Sequence, residues 1–299
     1  MKSKEKYVTI YINKKINILR RGNMSFYIDK FIKEALEEDM GIIGDITTDS
    51  LFEDNHISKG IFNFRKAGVV AGVEFAKRVF ELLDGDVKFV KIKSDGEFVQ
   101  AGENIAIVEG STKAILKGER TALNIMQRLS GIATNTRKYA EKLEGYDCMV
   151  ADTRKTTPLF RYFEKYAVKT GGGKNHRFGL FDAVMLKDNH IAAAGGIKAA
   201  VKKVRKNIPH TMKIEVEAES KEQAIEAMNA GADIIMLDNM RGEKLAECVK
   251  ILKGKVITEA SGNITVENIE EVAKTGVDII STGALIYSAG IIDIGLDFE

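Results

Sequence analysis

Six short apolar runs in the second half of the chain, each ending in polar residues, constrain its fold more than any other feature. They are CMVAD (148–152), AVMLK (183–187), KIEVEA (213–218), DIIMLD (233–238), KVITEA (255–260) and DIISTG (278–283). Amphipathic segments such as 220–231 and 266–276 lie between them and close with a glycine, as helices commonly do. This alternation predicts parallel strands joined by right-handed crossovers. Six such strands favour an α/β barrel over an open doubly wound sheet.

Polar residues gather at the carboxyl ends of these predicted strands. They are Asp152 to Lys155, Lys187 and Asp188, Glu217, Asp238 and Asn239, Glu259 to Ser261, and Ser281 to Gly283. In a barrel these strand ends meet at one mouth, where active sites lie. A single polar residue there can be only a helix cap, which is the alternative for Asn239 and Ser220. Six polar strand ends together indicate a functional site.

The first part of the chain has a different pattern. Apolar residues at positions 28, 31, 32, 35 and 36 predict a helix. Strand-like runs at 59–66, 87–93 and 104–108 surround a second helical pattern at 71–83. A long helical stretch from about 113 to 143 leads into the alternating region. We therefore predict an α+β module before the barrel.

Charge is distributed unevenly along the 299 residues, whose formal net charge is +2. Residues 1–23 carry seven basic side chains and one acid, and removing this +6 leaves −4 for the rest. Because the body is acidic, a local basic segment indicates a small anionic ligand and no nucleic-acid partner. Residues 1–23 lack the apolar core of a signal peptide and are interpreted as a flexible basic extension.

Membrane insertion and disulfide formation are not expected from the composition. No apolar run reaches the roughly 18 residues that span a bilayer, so no membrane partner is predicted. The two cysteines, Cys148 and Cys248, lie within apolar stretches and suggest neither a disulfide framework nor a zinc site. We therefore expect a cytoplasmic protein.

Positive charge is concentrated between Asp152 and His190, around the three glycines 171–173. The cations are Arg154, Lys155, Arg161, Lys165, Lys169, Lys174, Arg177 and Lys187. Lysine and arginine form charge-assisted hydrogen bonds to carboxylates and phosphates, and consecutive glycines let a backbone approach a ligand. The segment therefore predicts a site for a small polyanion. For Lys165, Lys169 and Lys174 a solvated helix surface is the favoured alternative.

A series of linked motifs closely resembles one enzyme family over residues 24–299. The motifs are GERTALNIMQRLSGIAT (118–134), TRKTTP (153–158), EKYAV (164–168), GGGKNHR (171–177), LKDNHI (186–191), EVEAES (215–220), ADIIMLDN (232–239), TEASGNIT (258–265) and ISTGAL (280–285). The family is nicotinate-nucleotide pyrophosphorylase, also called quinolinate phosphoribosyltransferase. So many motifs in one order are far more specific than a single short pattern.

The resemblance implies the α/β fold of the type II phosphoribosyltransferases. In this fold an N-terminal α+β sandwich-like module packs on an incomplete α/β barrel. The module would cover residues 24–120, and the barrel with the active site would cover residues 121–285. The tail, residues 286–299, would return to the module.

The implied reaction joins quinolinate to phosphoribosyl pyrophosphate and leaves nicotinate mononucleotide, pyrophosphate and carbon dioxide, a step of NAD biosynthesis. The enzyme would thus be a decarboxylating pentosyltransferase. By motif position, the residues that bind the quinolinate carboxylates are Arg154, His176, Arg177 and Lys187. Lys155 and Lys187 would face the pyrophosphate or the carboxylates. Arg120 would enter from a neighbouring subunit, which implies a homodimer or larger assembly with shared sites.

Acidic and glycine-containing positions complete the implied site. Glu217 and Asp238 match positions that hold the ribose hydroxyls and Mg²⁺, largely through water and substrate phosphates. Thr153 is a further substrate-binding position. Two turns, Ser261-Gly262-Asn263 and Thr282-Gly283-Ala284, match the cradle of the 5′-phosphate. The implied catalytic residues are Lys155, Lys187, Glu217 and Asp238, and no nucleophile is implied.

Three positions depart from the family pattern: Leu159 and Asn263 replace glycines, and Tyr287 stands where a histidine is usual. Asparagine tolerates left-handed backbone angles, so Asn263 is a mild change. Three alternatives are a molybdenum-transport-associated homologue of the same fold, a phosphoribosyltransferase that uses nicotinate, and a non-catalytic anion-binding or regulatory protein on the same scaffold. The intact KDNH signature (187–190) argues against the molybdenum-transport homologue. The number of cations that could bind carboxylates argues against nicotinate as the substrate. The retained Glu217, Asp238 and Lys155 argue against a non-catalytic protein.

Overall fold

The computed structural model describes residues 26–299, so the basic extension predicted for residues 1–23 lies outside the described residues. The described chain forms a four-stranded antiparallel sheet, a six-stranded parallel sheet and a two-stranded ribbon. None of the helices within residues 26–299 combines the length and apolarity needed to cross a bilayer.

The N-terminal part holds the antiparallel sheet, the ribbon and four helices. Its elements are α1 (26–40), α2 (Ile46–Leu51), β1 (Ile57–Phe64), β2 (Gly68–Val69), α3 (Val73–Leu83), β3 (Lys88–Lys91), β4 (Phe98–Val99), β5 (Asn104–Ser111) and α4 (Thr112–Lys142). The last strand of the chain, β12 (Ile294–Phe298), pairs with β1 and so adds the tail to this sheet. Helix α4 runs unbroken through the predicted boundary at residue 120 and belongs to both parts.

The second part alternates strands and helices. Its elements are β6 (Met149–Ala151), α5 (Arg161–Thr170), β7 (Val184–Leu186), α6 (Asp188–Ala194), α7 (Ile197–Asn207), β8 (Ile214–Ala218), α8 (Lys221–Ala230), β9 (Ile234–Asp238), α9 (Gly242–Leu252), β10 (Ile257–Ser261), α10 (Ile269–Ala273), β11 (Ile279–Ser281) and α11 (Ala284–Tyr287). The sheet order is β6-β11-β10-β9-β8-β7, with all pairs parallel. The first and last strands of this order are consecutive in the chain, so the sheet curves into a barrel that stays open between β6 and β7.

Strand register brings the polar strand ends to one mouth of the barrel. Glu217 of β8 and Glu259 of β10 both lie beside Met236 of β9. Two residues further along, Asp238 lies beside Ser261. Because side chains alternate between the faces of a strand, these residues share the interior face. The predicted convergence of polar strand ends is therefore confirmed.

Helix α5 fastens the N-terminal part to the barrel through aromatic contacts. The ring centroid of Phe163 lies 4.7 Å from that of Phe31 in α1 and 4.9 Å from that of Phe75 in α3. Phe163 is fully buried. Tilted and edge-on aromatic pairs of this kind add stability beyond the area that they bury. Helix α5 is thereby held rigidly next to the barrel mouth.

The three glycines 171–173 pack against α4, so the structure gives them a packing role, and an approach to a bound anion stays a prediction. A Cβ atom on Gly171 would lie 2.7 Å from Cβ of Thr136, and one on Gly173 would lie 2.9 Å from Cγ2 of the same residue. Gly172 has a left-handed φ of 99°. The glycines let the chain leave α5 and pass closely over α4, where a side chain would not fit.

Backbone strain at Leu159 gives a stability prediction. Leu159 has a φ of 61°, which explains why a glycine is usual there, and its side chain is 79% exposed. Left-handed geometry costs an L-residue roughly 1–2 kcal/mol. The stability gained by removing this strain is partly offset because glycine has greater conformational freedom in the unfolded state. We expect Leu159→Gly to raise the melting temperature by about 2 °C in a calorimetric scan. The control is Leu180→Gly, which removes an equally exposed leucine without left-handed φ and should give no gain.

Candidate active site

The barrel mouth contains a cavity of about 640 Å³. Its lining residues are Thr153, Arg154, Lys155, His176, Arg177, Met185, Lys187, Glu217, Met236, Asp238, Asn239, Ser261, Gly262, Asn263, Ser281 and Tyr287. These residues include every predicted site residue except Arg120 and the turn from Thr282 to Ala284. Met185 and Met236 were not predicted as site residues, and Ser281 was predicted only as one of the polar strand ends. Met236 lies beside Glu217 and Glu259 in the sheet, so it shares their interior face.

The predicted turn from Thr282 to Ala284 lies behind the cavity wall. The Thr282 hydroxyl donates to the Ile264 carbonyl at 3.1 Å and accepts the Ala284 amide at 3.2 Å. A Cβ atom on Gly283 would lie 2.6 Å from Cε1 of Tyr287 and 2.9 Å from Cδ of Lys155. The turn therefore supports these two lining side chains, and its contact with a 5′-phosphate stays a prediction.

Arg120 is exposed on α4 and lines a different cavity, of about 420 Å³, with Phe31, Asp39 and Asn124. The structure of one chain therefore does not bring Arg120 together with the other predicted site residues. Its participation requires a second subunit, as the resemblance implies.

One side of the active cavity is positively charged. We call its residues, Arg154, Lys155, Arg177 and Lys187, the cationic wall. Within residues 26–299 only Lys187 among these four forms a salt bridge, with Nζ 2.6 Å from Oε2 of Glu217. Burial, followed by the charge of Arg154, lowers the pKa of Arg177 from its usual value. A bound anion would relieve this repulsion, so the wall is suited to carboxylates or phosphates.

A second part of the lining, which we call the acidic wall, consists of Glu217 and Asp238 at the ends of β8 and β9, and it adjoins the cationic wall at Lys187. Asn239 has a left-handed φ of 54° and donates to Asp238 at 2.7 Å. A Cβ atom on Gly262 would lie 2.7 Å from Cγ of Asn239, so the turn after β10 needs its glycine. The acidic wall offers two carboxylates of the kind that bind sugar hydroxyls or hydrated Mg²⁺.

His176 lies in the cavity floor, and both of its ring nitrogens have protein partners. Nδ1 accepts the amide hydrogen of Arg177 at 2.8 Å, so the ring proton lies on Nε2. Nε2 is 3.0 Å from Oε2 of Glu215 and 3.6 Å from Oε1 of Glu259. Direct binding of a substrate carboxylate by His176 stays a prediction.

Glu215 and Glu259 lie beneath the floor at 3% and 2% exposure. Glu259 was predicted only as one of the polar strand ends, without a role, and Glu215 was not predicted. Their carboxylate oxygens and the His176 nitrogen lie within 4.8 Å of one another, a spacing that could hold a metal ion. Binding a metal through Nε2 would move the ring proton to Nδ1 and break the hydrogen bond that Nδ1 accepts from the Arg177 amide. Two adjacent buried carboxylates are costly unless one of them keeps a proton. The alternation in IEVEA could have indicated that Glu215 shares a face with Glu217.

We expect Glu259→Gln to stabilise the protein above neutral pH and to have little effect at pH 5. Burial and the charge of Glu215 raise the pKa of Glu259 to about 7 from 4.5, with His176 and Ser281 also facing it. Because the folded state holds this proton more tightly, stability falls as pH rises from 4.5 through 7. Glutamine stays neutral, so the gain in the free energy of unfolding should grow across this interval to the order of 3 kcal/mol, and the difference in melting temperature should grow with it. A difference independent of pH in calorimetric scans from pH 5 to 8.5 would contradict this assignment.

Known proteins resemble this chain over nearly its whole length. The family model "Quinolinate phosphoribosyl transferase, N-terminal domain" matches residues 45–130, and the C-terminal domain model of the same family matches residues 132–297. A Bacillus subtilis protein named "Probable nicotinate-nucleotide pyrophosphorylase (carboxylating)" is 44% identical over 270 residues, which are 90% of this chain and 93% of that protein.

Solved structures agree with these sequence matches. The crystal structure of NadC from Streptococcus pyogenes has a TM-score of 0.87 at 42% identity and covers 92% of this chain and 98% of that one. The nicotinate-nucleotide pyrophosphorylase of Francisella tularensis has a TM-score of 0.87 at 41% identity, covering 91% and 96%. They confirm the predicted architecture of an N-terminal module and an incomplete α/β barrel. Both the sequence and the fold therefore establish that the chain belongs to the quinolinate phosphoribosyltransferase family.

Proposed function

We propose that the cavity joins quinolinate to phosphoribosyl pyrophosphate and forms nicotinate mononucleotide, pyrophosphate and carbon dioxide in NAD biosynthesis. The observation that carries this proposal is one cavity with a cationic wall and an acidic wall. Quinolinate carries two carboxylates and matches the first wall, whereas the ribose hydroxyls match the second. The relatives whose names describe this activity align with 90% or more of the chain.

The first chemical step exchanges one bond at the ribose. The bond from C1′ to pyrophosphate breaks, and the quinolinate ring nitrogen forms a bond to C1′. Positive charge develops on the ribose in the transition state, and Glu217 and Asp238 stabilise it from the acidic wall. Lys155 and Lys187 neutralise the pyrophosphate or the carboxylates. The protein acts mainly by holding the two substrates in position and by placing charges near them. Such positioning can supply a large part of the decrease in the activation free energy.

The second step removes the carboxylate next to the ring nitrogen as carbon dioxide. The electron pair stays on the ring carbon, where the adjacent positive nitrogen stabilises it until the carbon takes a proton. The cationic wall holds the remaining carboxylate during this step. A cysteine nucleophile is not needed, since neither cysteine lines the cavity and burial raises the pKa of Cys148 to about 12.

Mg²⁺ is part of the proposal, with Glu217 and Asp238 as the residues that would hold it. Its usual coordination keeps several waters and uses substrate phosphates, so two protein carboxylates are sufficient. When bound, the ion supplies positive charge to the pyrophosphate group.

We further propose an active unit of at least two subunits. Arg120 is exposed outside the cavity of its own chain and would reach the cavity of a partner.

A cytoplasmic location is also proposed, because Cys148 and Cys248 are both free thiols.

The test compares quinolinate with nicotinate as acceptors for phosphoribosyl pyrophosphate and Mg²⁺, with the pyridine products separated by chromatography. We expect turnover of quinolinate and little turnover of nicotinate, because the cationic wall has more positively charged side chains than a single carboxylate needs. Equal turnover of both acids would contradict the assignment of quinolinate. Turnover of neither would favour a non-catalytic anion-binding protein.

Tyr287 gives a prediction about the phosphoribosyl pyrophosphate contacts. Its side chain is 61% exposed and lines the cavity beside Gly283. A neutral donor contributes roughly 0.5–1.5 kcal/mol, so Tyr287→Phe should raise KM for phosphoribosyl pyrophosphate by about tenfold at most. KM for quinolinate should hardly change, and Tyr287→His should be tolerated. Loss of all turnover in a folded Tyr287→Phe protein, measured by steady-state kinetics, would make Tyr287 a catalytic residue.

A further inference from the structure

Helix α5 carries two neighbouring charged residues that the proposed reaction does not use. Glu164 is fully buried and Lys165 is 2% exposed. The surface location favoured for Lys165 is therefore wrong, whereas Lys169, one turn further along, is exposed. Buried charges are tolerated only with good partners, so the contacts of this pair indicate what it does.

Lys165 holds the segment that carries His176 and Arg177. Its Nζ donates to the carboxylate of Asp152 and to the His176 carbonyl, the latter at 3.0 Å. The Asp152 carboxylate also accepts the His176 amide at 2.9 Å and the Asn175 side chain at 2.7 Å. The peptide groups on both sides of the His176 Cα are thus fixed to one buried ion pair. Arg177 of the cationic wall follows directly.

Glu164 holds the segment that follows Arg154 and Lys155. Its carboxylate accepts the Thr157 amide at 2.8 Å and the Thr157 hydroxyl at 2.9 Å. Arg128 of α4 completes this contact with a bond of 2.7 Å. Because one helix turn fastens both cation-bearing segments, the distance between their arginines is set by α5.

Arg161, at the start of α5, joins the same two segments directly. Its Nε donates to the Thr156 hydroxyl at 2.9 Å and its Nη1 donates to the Phe178 carbonyl at 3.1 Å. Nε and Nη1 of Arg161 and Nζ of Lys165 donate within the protein, and Arg161, Glu164 and Lys165 are absent from the cavity lining. Their role is therefore separate from substrate contact.

We propose that Arg161, Glu164 and Lys165 are positioning residues, which hold Arg154 and Arg177 at the separation required by the two carboxylates of quinolinate. This inference rests on the proposed function of the cavity. It predicts that loosening α5 contacts weakens quinolinate binding more than binding of phosphoribosyl pyrophosphate, whose ribose lies at the acidic wall.

The main test variant is Asp152→Asn/Lys165→Met, because removing Lys165 alone would leave a buried charge without a partner. The asparagine can still accept the His176 amide, but the bond to the His176 carbonyl is lost. Arg161→Met is a second variant that leaves no buried charge. Lys169→Met is the control, since it changes an exposed lysine on the same helix.

Each variant is characterised by melting temperature, steady-state kinetics and amide hydrogen exchange of residues 175–178. In the double variant we expect KM for quinolinate to rise about 10- to 100-fold, the effect of one lost hydrogen bond to a charged group. In the Arg161→Met protein, KM for quinolinate should rise severalfold. In both, KM for phosphoribosyl pyrophosphate should change less than about threefold, and exchange at residues 175–178 should accelerate. Lys169→Met should match the parent protein.

Parent-like quinolinate KM and exchange in either folded variant would overturn the positioning role. A general loss of kcat with both KM values unchanged would also overturn it, because that result indicates a structural effect without specificity. The exchange measurement needs no substrate. Failure of the proposed function, seen as absence of quinolinate turnover in the parent protein, is therefore distinguishable from failure of this inference.

Discussion

Replacing Lys187 with methionine is expected to lower kcat/KM for quinolinate at least about 100-fold, since removing one preorganised donor from an active site typically costs about 10²–10³ in rate. Methionine keeps much of the length of the side chain and removes its charge. Lys187 is the cation that joins the two walls, through its 2.6 Å bond to Glu217. Steady-state kinetics with both substrates measures the effect.

The Lys187→Met protein should remain folded, because the lysine side chain is 45% exposed and Glu217 retains contact with solvent. The matched control is Lys202→Met, which replaces an exposed lysine on α7, away from the cavity. A decrease of less than fivefold in a folded Lys187→Met protein would exclude Lys187 from the reaction.

Mixing two inactive proteins, Arg120→Ala and Lys187→Met, is expected to restore activity. Each variant alone should lose about 100-fold or more, because a lost charge-assisted bond to a substrate anion is strongly unfavourable. If Arg120 serves the cavity of the partner, a hybrid dimer has one site in which both residues are intact. Random subunit exchange then restores about a quarter of the sites.

In the control experiment, the Arg120→Ala protein is mixed with a protein that carries both Arg120→Ala and Lys187→Met. Such hybrids contain no complete site and should stay inactive. If subunit exchange is demonstrated, for example with differently labelled chains, and the first mixture still shows no recovery, then Arg120 does not act across a subunit boundary.

The barrel and most of the cavity could be predicted because both depend on local patterns. A buried parallel strand is a short apolar run, and the polar residue that ends it marks the mouth of the barrel. Lys187, Glu217 and Asp238 follow such runs and all line the cavity. The long helix predicted for 113–143 is α4, Thr112–Lys142, because its apolar positions repeat with the helical period.

The residues beneath and beside the cavity could not be predicted because their partners are distant in the sequence. Glu164 and Lys165 resemble the charged face of a surface helix, and only the fold brings Asp152 and Thr157 to them. Glu259 pairs with residues from other segments inside the barrel. Periodicity identifies residues that share a face, but it does not reveal which other segment that face meets.

The most direct test of the account follows all three products of the reaction. Quinolinate labelled in the carboxylate next to the ring nitrogen is incubated with the protein, phosphoribosyl pyrophosphate and Mg²⁺, and labelled carbon dioxide, pyrophosphate and nicotinate mononucleotide are counted. The account predicts equal amounts of all three, and none from the Lys187→Met protein above its low residual rate. Release of pyrophosphate without labelled carbon dioxide, or no dependence of either product on quinolinate, would contradict it.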